Sequence, residues 1–341
     1  FNEVAQAKFV HTVSAGYVTA AIFVLGVSAI YLLQERHRDL ARRSMAVAAS
    51  FGLASALSVV VLGDESGYSA TQHQKMKLAA IEAMWETEEA PAAFTVVGLP
   101  DQEDRETHYA VKIPWVMGLI GTRSLTEELP GIEELVARAE TRIRSGLHAY
   151  DALMEIRENR GDVPPETRAV FETHGENLGF ALLLKPYLAD PREATDAQIE
   201  KAAWDTVPMV APLFWTFRVM VALGFFFIGL TAYFFWKASF SRTPYTRTAL
   251  WVAALSIPLP WIAAEMGWFV AEYGRQPWSV EGVLPTAVAV SELGATEVLI
   301  TLVGFATFYT VLLVIEVALM VKFIRKGPYQ DAEAVAAWQA E

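Results

Sequence analysis

Five long runs of apolar residues alternate with polar connections along the chain. They cover residues 12–33, 45–63, 207–236, 249–271 and 298–321. A hydrocarbon core about 30 Å thick needs about 20 helical residues, so each run is long enough to cross a membrane. The third run is long enough to project beyond the bilayer, and Pro258 and Pro260 are expected to kink the fourth. The pattern predicts an all-α integral membrane protein with five transmembrane helices in a bundle.

A hydrophilic insert separates the second run from the third and is too long for a plain connection. Apolar residues recur at helical spacing after Pro130, and Pro164-Pro165 breaks the chain before another helix. Residues 72–86 form a further candidate helix, whereas the prolines between residues 91 and 130 indicate irregular structure. The insert is therefore expected to be a mostly helical domain.

Lysine and arginine residues mark one side of the membrane. They cluster in the first connection, after the third run and after the fifth, at Arg36, Arg38, Arg42, Arg43, Lys237, Arg242, Arg247, Lys322, Arg325 and Lys326. By the positive-inside rule these regions are cytoplasmic, which places the insert outside. The expected organisation is two transmembrane helices in 1–62, an extracytoplasmic loop domain in 63–205, three transmembrane helices in 206–327 and a cytoplasmic tail in 328–341.

Composition and charge exclude several functions. The chain is 53% hydrophobic and has no Cys, which excludes disulfides, thiolate metal sites and thiol catalysis within it. Residues 63–205 contain 27 acidic and 14 basic side chains, a net charge of −13, and the remainder carries +1, so all of the net charge of −12 belongs to the insert. An acidic domain argues against binding to nucleic acid or to anionic lipid headgroups. The chain begins Phe1-Asn2 without an initiator Met, and we expect it to be a piece of a longer protein.

Three residues near the outer ends of two runs are candidates for a heme or metal site. His11 is either an interfacial, hydrogen-bonded histidine or a ligand. Met220 is either packing filler in an apolar helix or a ligand, and histidine with methionine is a known axial pair for heme iron. Arg218 lies two residues from Met220, and an arginine within a membrane needs a partner such as a heme propionate.

The fourth and fifth runs carry acidic residues within apolar sequence. Glu265, Trp268 and Glu272 lie near one face of a helix. Glu272 either pairs with Arg275 or acts as an iron ligand or proton-handling group. Glu316, in the fifth run, is either a proton relay or a hydrogen-bonding group of the bundle. Intramembrane charge of this kind is usually functional.

Lys77 and Glu82 lie on the first candidate helix of the insert. Their spacing of five residues separates them by about 140° around a helix, so both border one pocket only at its edges. The alternative is a solvated, acidic helix face. No P-loop, dinucleotide fingerprint, catalytic triad or zinc spacing occurs in the chain.

Several of these stretches, taken together, resemble subunit I of the cytochrome bd-type quinol oxidases. The matching segments follow one another in order from near Phe9 to about Gly327. They are Phe9-Val10-His11-Thr12-Val13, Gly63-Asp64-Glu65-Ser66-Gly67-Tyr68, Lys77-Leu78-Ala79-Ala80-Ile81-Glu82, Phe217-Arg218-Val219-Met220 and Gly274-Arg275-Gln276-Pro277-Trp278. The resemblance departs at the front, because the family's subunit begins with four further helices that supply another heme ligand.

The resemblance implies a role for each matching residue. His11 and Met220 would be the axial ligands of a low-spin heme b, with Arg218 beside it. Glu272 would ligate one of two high-spin hemes, a heme b and a heme d, with Trp268 and Arg275 nearby. Lys77 and Glu82 would line the quinol site in the family's Q-loop, with Asp64 a weaker candidate, and the insert resembles the long form of that loop.

The resemblance also implies an activity and partners. Quinol would be oxidised at the periplasmic face of a bacterial cytoplasmic (inner) membrane, and oxygen would be reduced to water, generating a proton-motive force without pumping. A second membrane subunit is the expected partner, and a small accessory single-helix subunit is a further candidate. Binding to nucleic acid is not expected. This chain alone is expected to be inactive. The alternative from another class is a transporter or channel subunit, with Arg218, Glu272 and Glu316 along its path.

Overall fold

Five helices of the computed structural model are long and apolar enough to cross a membrane, as the sequence predicted. The structure describes residues 2–159, 163–241 and 243–328, so Arg242 and nearly all of the predicted tail at 328–341 lie outside the described residues. The spanning helices are α1 (Glu3–Leu33), α2 (Arg38–His73), α8 (Val210–Phe240), the pair α9 (Arg247–Leu255) and α10 (Leu259–Tyr273), and α11 (Ala295–Lys326).

Four of the five spans form a common bundle. Its core joins α1, α2, α8 and α9 through large apolar side chains that include Leu25, Met45, Phe234 and Leu250. In contrast, none of the residues in the apolar window of α11 is buried. Near its C-terminal end, α11 meets the bundle where the Tyr31 hydroxyl donates to the carbonyl of Ile324 at 2.9 Å.

The predicted kink in the fourth span is a break between two helices. Helix α9 ends at Leu255 and α10 begins at Leu259, with Pro258 at the N-cap of α10 and Pro260 in its first turn. Proline has no backbone N–H to donate, so it is tolerated at the start of a helix and interrupts its interior.

The insert is mostly helical, and the two helices predicted after prolines are present. Its helices are α3 (Lys75–Glu82), α4 (Ile132–Glu158), α5 (Pro165–His174), the short α6 (Leu178–Ala181) and α7 (Asp196–Trp204). The candidate helix at 72–86 is shorter than expected, because α2 continues unbroken through Gly63 to His73 and Gln74 separates it from α3.

The expectation of irregular structure between residues 91 and 130 is wrong for its central part. Strands β1 (Phe94–Asp101) and β2 (Glu106–Ile113) form an antiparallel hairpin. The side chain of Asp101 accepts the backbone N–H groups of Glu103 and Asp104 at 2.8 and 3.1 Å, which closes the turn. Pro100 is accommodated next to the turn, where a missing donor costs little.

The insert and the outer ends of the spans share one hydrophobic core. It contains Leu78 and Ile81 of α3, Ile143 of α4, Phe214 of α8 and Val270 of α10. A second small hairpin after α10, β3 (Trp278–Val280) with β4 (Leu284–Pro285), adds Trp278 to this core. The shared core fixes α3 against the outer ends of α8 and α10.

Candidate functional site

Helix α3 is buried, so the alternative of a solvated acidic face is wrong. The Lys77 side chain is 6% exposed and that of Glu82 is 5% exposed, and Ala79 and Ala80 between them are fully buried. Charged residues are almost never buried this deeply unless they are paired. The partners of Lys77 and Glu82 therefore define the site.

The partner of Glu82 is Arg218 of α8. Nη2 of Arg218 donates to Oε2 of Glu82 at 3.1 Å. The same guanidinium donates to the carbonyls of Ile81 at 2.8 Å, Phe214 at 3.1 Å and, through Nε, Thr95 at 3.0 Å. It also lies over the ring of Phe214, 3.3 Å from its centroid. The intramembrane arginine thus finds its counter-charge in a carboxylate of the insert.

Burial sets the protonation of Glu82. Removal from water raises the pKa of the Glu82 carboxyl from 4.5 to about 7, and the nearby Arg218 charge opposes this rise. A carboxyl with this pKa exchanges protons near neutral pH, which is the property of a general base.

Lys77 faces a different set of groups. Its Nζ donates to Oε1 of Gln74 at 2.9 Å and to the carbonyl of Ala271 at 3.0 Å, in the last turn of α10. A cation is favoured at this end of a helix, where carbonyls lack partners. Burial lowers the pKa of Lys77 from 10.5 to about 8, reinforced by Lys8 and opposed by Glu281 and Glu272.

Gly274 leaves the space that the Lys77 side chain occupies. A Cβ at Gly274 would meet the Val270 carbonyl oxygen at 2.6 Å, Cγ of Lys77 at 3.0 Å and its Cε at 3.1 Å, all closer than ordinary contact. The start of the Gly274-Arg275-Gln276-Pro277-Trp278 segment is therefore shaped around the lysine. Lys77 and Glu82 lie against different helices, as their angular separation on α3 predicts.

Glu272 forms an ion pair with Arg275, three residues later. Both side chains are partly exposed, and Nε of Arg275 is buried without a hydrogen-bond partner. Glu265 and Trp268 are exposed on the same helix. A carboxylate left facing lipid is costly, so this stripe of α10 is a surface that another group must cover. The role of Glu272 as an iron ligand stays a prediction.

His11 and Met220 each lie against a glycine of a neighbouring helix. A Cβ at Gly63 of α2 would meet Cε1 of His11 at 3.3 Å, and one at Gly267 of α10 would meet Sδ of Met220 at 3.0 Å. Nδ1 of His11 is buried and has no hydrogen-bond partner within ordinary distance and angle limits. The backbone carbonyl of Val59 lies near the ring. A ligating histidine commonly directs its second nitrogen to a carbonyl, leaving Nε2 for the metal, so His11 suits this role.

Asp64, the weaker quinol-site candidate, contacts the insert elsewhere. Nη2 of Arg123 lies 3.5 Å from Oδ2 of Asp64 and 2.5 Å from Oε2 of Glu65, and its guanidinium lies over the ring of Tyr68. This segment therefore ties the end of α2 to the turn at Gly118–Thr122. Glu316 lies on an exposed part of α11.

Three groups at the site were missed by the sequence reasoning. They are the Thr95 carbonyl that accepts from Arg218, the Gln74 side chain that accepts from Lys77, and the Glu281 carboxylate near Lys77. The Thr95 carbonyl depends on a hairpin that was read as irregular structure. Gln74 lies three residues before Lys77, a spacing that was available as a signal.

Comparison with known proteins decides the family. The family model of cytochrome bd terminal oxidase subunit I matches residues 1–328. The chain belongs to this family. The resemblance drawn from the sequence is confirmed, and the transporter or channel alternative loses its support.

Two relatives and a solved structure of the cytochrome bd family extend the match. The chain is 40% identical over 328 residues to subunit 1 of the Escherichia coli cytochrome bd-II ubiquinol oxidase, covering 96% of this chain and 63% of that one. It is 24% identical to subunit 1 of the Bacillus subtilis cytochrome bd ubiquinol oxidase, covering 95% and 57%. The bd oxidase from Geobacillus thermodenitrificans shares the fold, with a TM-score of 0.66 at 21% identity, over 96% of this chain and 60% of that one. The chain thus spans about three fifths of the length of these cytochrome bd proteins.

Proposed function

We propose that the chain serves in subunit I of a terminal quinol oxidase, where it binds quinol at the outer face and holds hemes that carry electrons to oxygen. The single observation that carries this proposal is the buried Glu82, held by Arg218 two residues before Met220. A proton acceptor and a candidate heme ligand are thereby joined through one short stretch of α8. Oxidation of a quinol releases protons and electrons together, so its site needs both kinds of group close by.

Glu82 would take a proton from the quinol hydroxyl. Its carboxylate is available for this above a pH of about 7, and Arg218 fixes its orientation. Lys77, with a pKa of about 8, would donate a hydrogen bond to a quinone oxygen from the other side of α3. Asp64 is committed to Arg123 and contributes to the shape of the loop rather than to this chemistry.

The hemes would be held by the residues that the resemblance implies. His11 and Met220 would hold the low-spin heme b, and the glycines against them leave room that a larger side chain would fill. Glu272, Trp268 and Arg275 would border the high-spin pair, a heme b and a heme d, and the unpartnered Nε of Arg275 is free for an acceptor there. When bound, these groups supply one-electron transfer and oxygen chemistry.

The membrane placement and the partners belong to the same proposal. The insert would lie on the periplasmic side of a bacterial inner membrane, which the lysine- and arginine-rich connections support. Release of quinol protons there, with uptake for water from the cytoplasm, would generate a proton-motive force without pumping. The exposed apolar surface of α11 and the acidic stripe of α10 would be covered by further helices and by a second membrane subunit. A small accessory single-helix subunit could add to this cover.

The test uses the complete oxidase, purified with its partner subunit. A reduced-minus-oxidised optical spectrum should show low-spin and high-spin heme bands, and oxygen consumption should depend on added quinol. Absence of heme bands from an intact complex would overturn the proposal. Heme bands without quinol-dependent oxygen consumption would limit it to electron transfer from another donor.

A further inference from the structure

The β1–β2 hairpin of the insert has an exposed apolar surface that the proposed chemistry does not use. Val97 is 46% exposed and its cross-strand neighbour Val111 is 60% exposed. Further large side chains extend this surface, namely Leu99, Tyr109, Ile113 and Trp115. We call these six residues the hairpin surface. A group of large exposed apolar side chains on one hairpin indicates a site of interaction.

Consecutive residues on a strand point to opposite faces, so the charge of Lys112 lies on the face opposite Val111. Lys112, next to Val111 on β2, forms an ion pair with Glu88, which also accepts the backbone N–H of Ala93. The turn residues from Asp101 to Glu106 carry the remaining charges, at the far end of the strands. The hairpin therefore has one face that carries the apolar and aromatic side chains of the hairpin surface, and one polar face.

The hairpin lies at the outer boundary of the membrane. Helix α8 has 31 residues and is about 46 Å long, so it exceeds a hydrocarbon core of about 30 Å. Lys237 lies at the cytoplasmic end of α8. Arg218 lies about 20 residues before it, which is the number of helical residues that crosses the hydrocarbon core. Because Arg218 donates to the Thr95 carbonyl, the start of β1 lies at this outer boundary.

The other end of the hairpin is fixed further out along the same helix. The backbone N–H of Val210, the first residue of α8, donates to Oε1 of Gln102 in the hairpin turn at 3.1 Å. Arg105 also lies over the ring of Trp204, 3.7 Å from its centroid. Val210 is about 12 Å beyond Arg218 along the helix. The hairpin therefore spans the depth that lipid headgroups occupy.

We propose that the hairpin surface lies in the headgroup region of the outer leaflet and contacts lipid. Trp115 and Tyr109 are the residue types enriched at this depth, where an amphipathic ring has both an apolar and a wet side. Exposed apolar residues of α8, Trp215 and Val219, lie on either side of Arg218 in the sequence and therefore at about the same depth as the start of the hairpin. Lipid contact would brace the strand whose Thr95 carbonyl holds Arg218.

The test measures what surrounds the hairpin surface in the complete oxidase. The chain has no Cys, so a nitroxide attached at Val97→Cys or Val111→Cys is a single reporter within it. The oxidase is placed in phospholipid nanodiscs, and label accessibility is compared for oxygen, which concentrates in lipid, and for a water-soluble nickel chelate. Lys112→Cys, one residue away on the polar side, is the matched control, and Glu172→Cys on exposed α5 is the water-facing reference.

The ratio of oxygen to nickel accessibility should be several-fold higher at positions 97 and 111 than at 112 and 172. An equal ratio at all four positions would mean that the hairpin surface faces water and would overturn the proposal. Low accessibility to both reagents at positions 97 and 111 would also overturn it, because a protein partner would then cover the surface. The two label sites are on different strands, so one remains informative if the other disturbs the hairpin.

Discussion

Arg218 of α8 donates a hydrogen bond to Glu82 of α3 at 3.1 Å, and the two residues are 136 positions apart in the chain. Both are buried, so this contact ties the loop domain to a membrane helix through a buried ion pair. Breaking a buried pair leaves a charge without its partner, which is more costly than losing an exposed pair.

Replacing Glu82 by Gln should lower quinol-dependent oxygen consumption about 100-fold, because a general base of this kind contributes about two to four orders of magnitude. Arg218 would keep its hydrogen bonds to the carbonyls of Ile81 and Thr95, so the protein should fold and bind heme. The measurement is oxygen uptake by the purified oxidase with excess quinol. Glu172→Gln, on an exposed helix, is the control, and equal turnover in both variants would contradict the proton-accepting role.

Activity should follow a bell-shaped dependence on pH. Turnover should rise as Glu82 loses its proton through a pH of about 7, and fall as Lys77 loses its proton through a pH of about 8. The measurement is kcat/KM for quinol between pH 5.5 and about 9.5. In Glu82→Gln the residual activity should lack the acidic limb, and persistence of that limb would assign it to another group.

Stability should depend on pH through the same two residues. The pKa of Glu82 is raised from 4.5 to about 7 on folding, so its contribution is fully present below pH 4.5 and is lost as pH rises through 7. The pKa of Lys77 is lowered from 10.5 to about 8, so its contribution is present above pH 10.5 and is lost as pH falls through 8. Thermal unfolding of Glu82→Gln should lose the dependence between pH 4.5 and 7 that the parent protein shows.

Gly274→Ala should raise the KM for quinol and leave the heme spectrum unchanged. The added methyl group would meet the Val270 carbonyl oxygen at 2.6 Å and Cγ of Lys77 at 3.0 Å. The end of α10 and the Lys77 side chain must both shift, which moves Nζ away from the Ala271 carbonyl. Gly175→Ala, in the insert, is the control, because its Cβ would lie at 3.6 Å from Phe171, an ordinary contact. If both variants behave as the parent, Lys77 is not positioned by this glycine.

Met220→Leu should abolish or convert the low-spin heme signal, because leucine has no atom that binds iron. Gly267→Val should shift the same signal, since even one methyl carbon at Gly267 would lie 3.0 Å from Sδ of Met220. Gly224→Val on α8 is the control, because nothing lies within 4 Å of a Cβ there. An optical spectrum unaltered by Met220→Leu would rule out this residue as a ligand.

The membrane helices and the larger insert helices were predictable because their signals are local. A run of about 20 apolar residues, or apolar residues at helical spacing after Pro130, reports its own secondary structure without reference to the rest of the chain. The family was predictable as well, from short motifs in the right order, and the family match confirms it.

The site was less predictable because its contacts cross long distances in sequence. Nothing near Glu82 indicates that its partner lies on α8, and the motif containing Arg218 suggested a heme propionate instead. The β1–β2 hairpin was missed because the prolines between residues 91 and 130, Pro100 among them, were read as signs of irregular structure. The β-branched and apolar residues Val97 and Leu99, spaced by two, were the available signal for a strand.

The uninterrupted course of α2 limits how the site can open. The helix has 36 residues and is about 54 Å long, so it passes from the connection after α1 through the bundle and into the loop domain without a break. Together with the core shared by α3, α8 and α10, it prevents the loop domain from swinging as a separately hinged body. A substrate that reaches Glu82 must therefore enter through a local displacement, and Gln74, where α2 gives way to α3, is the joint at which such a movement would begin.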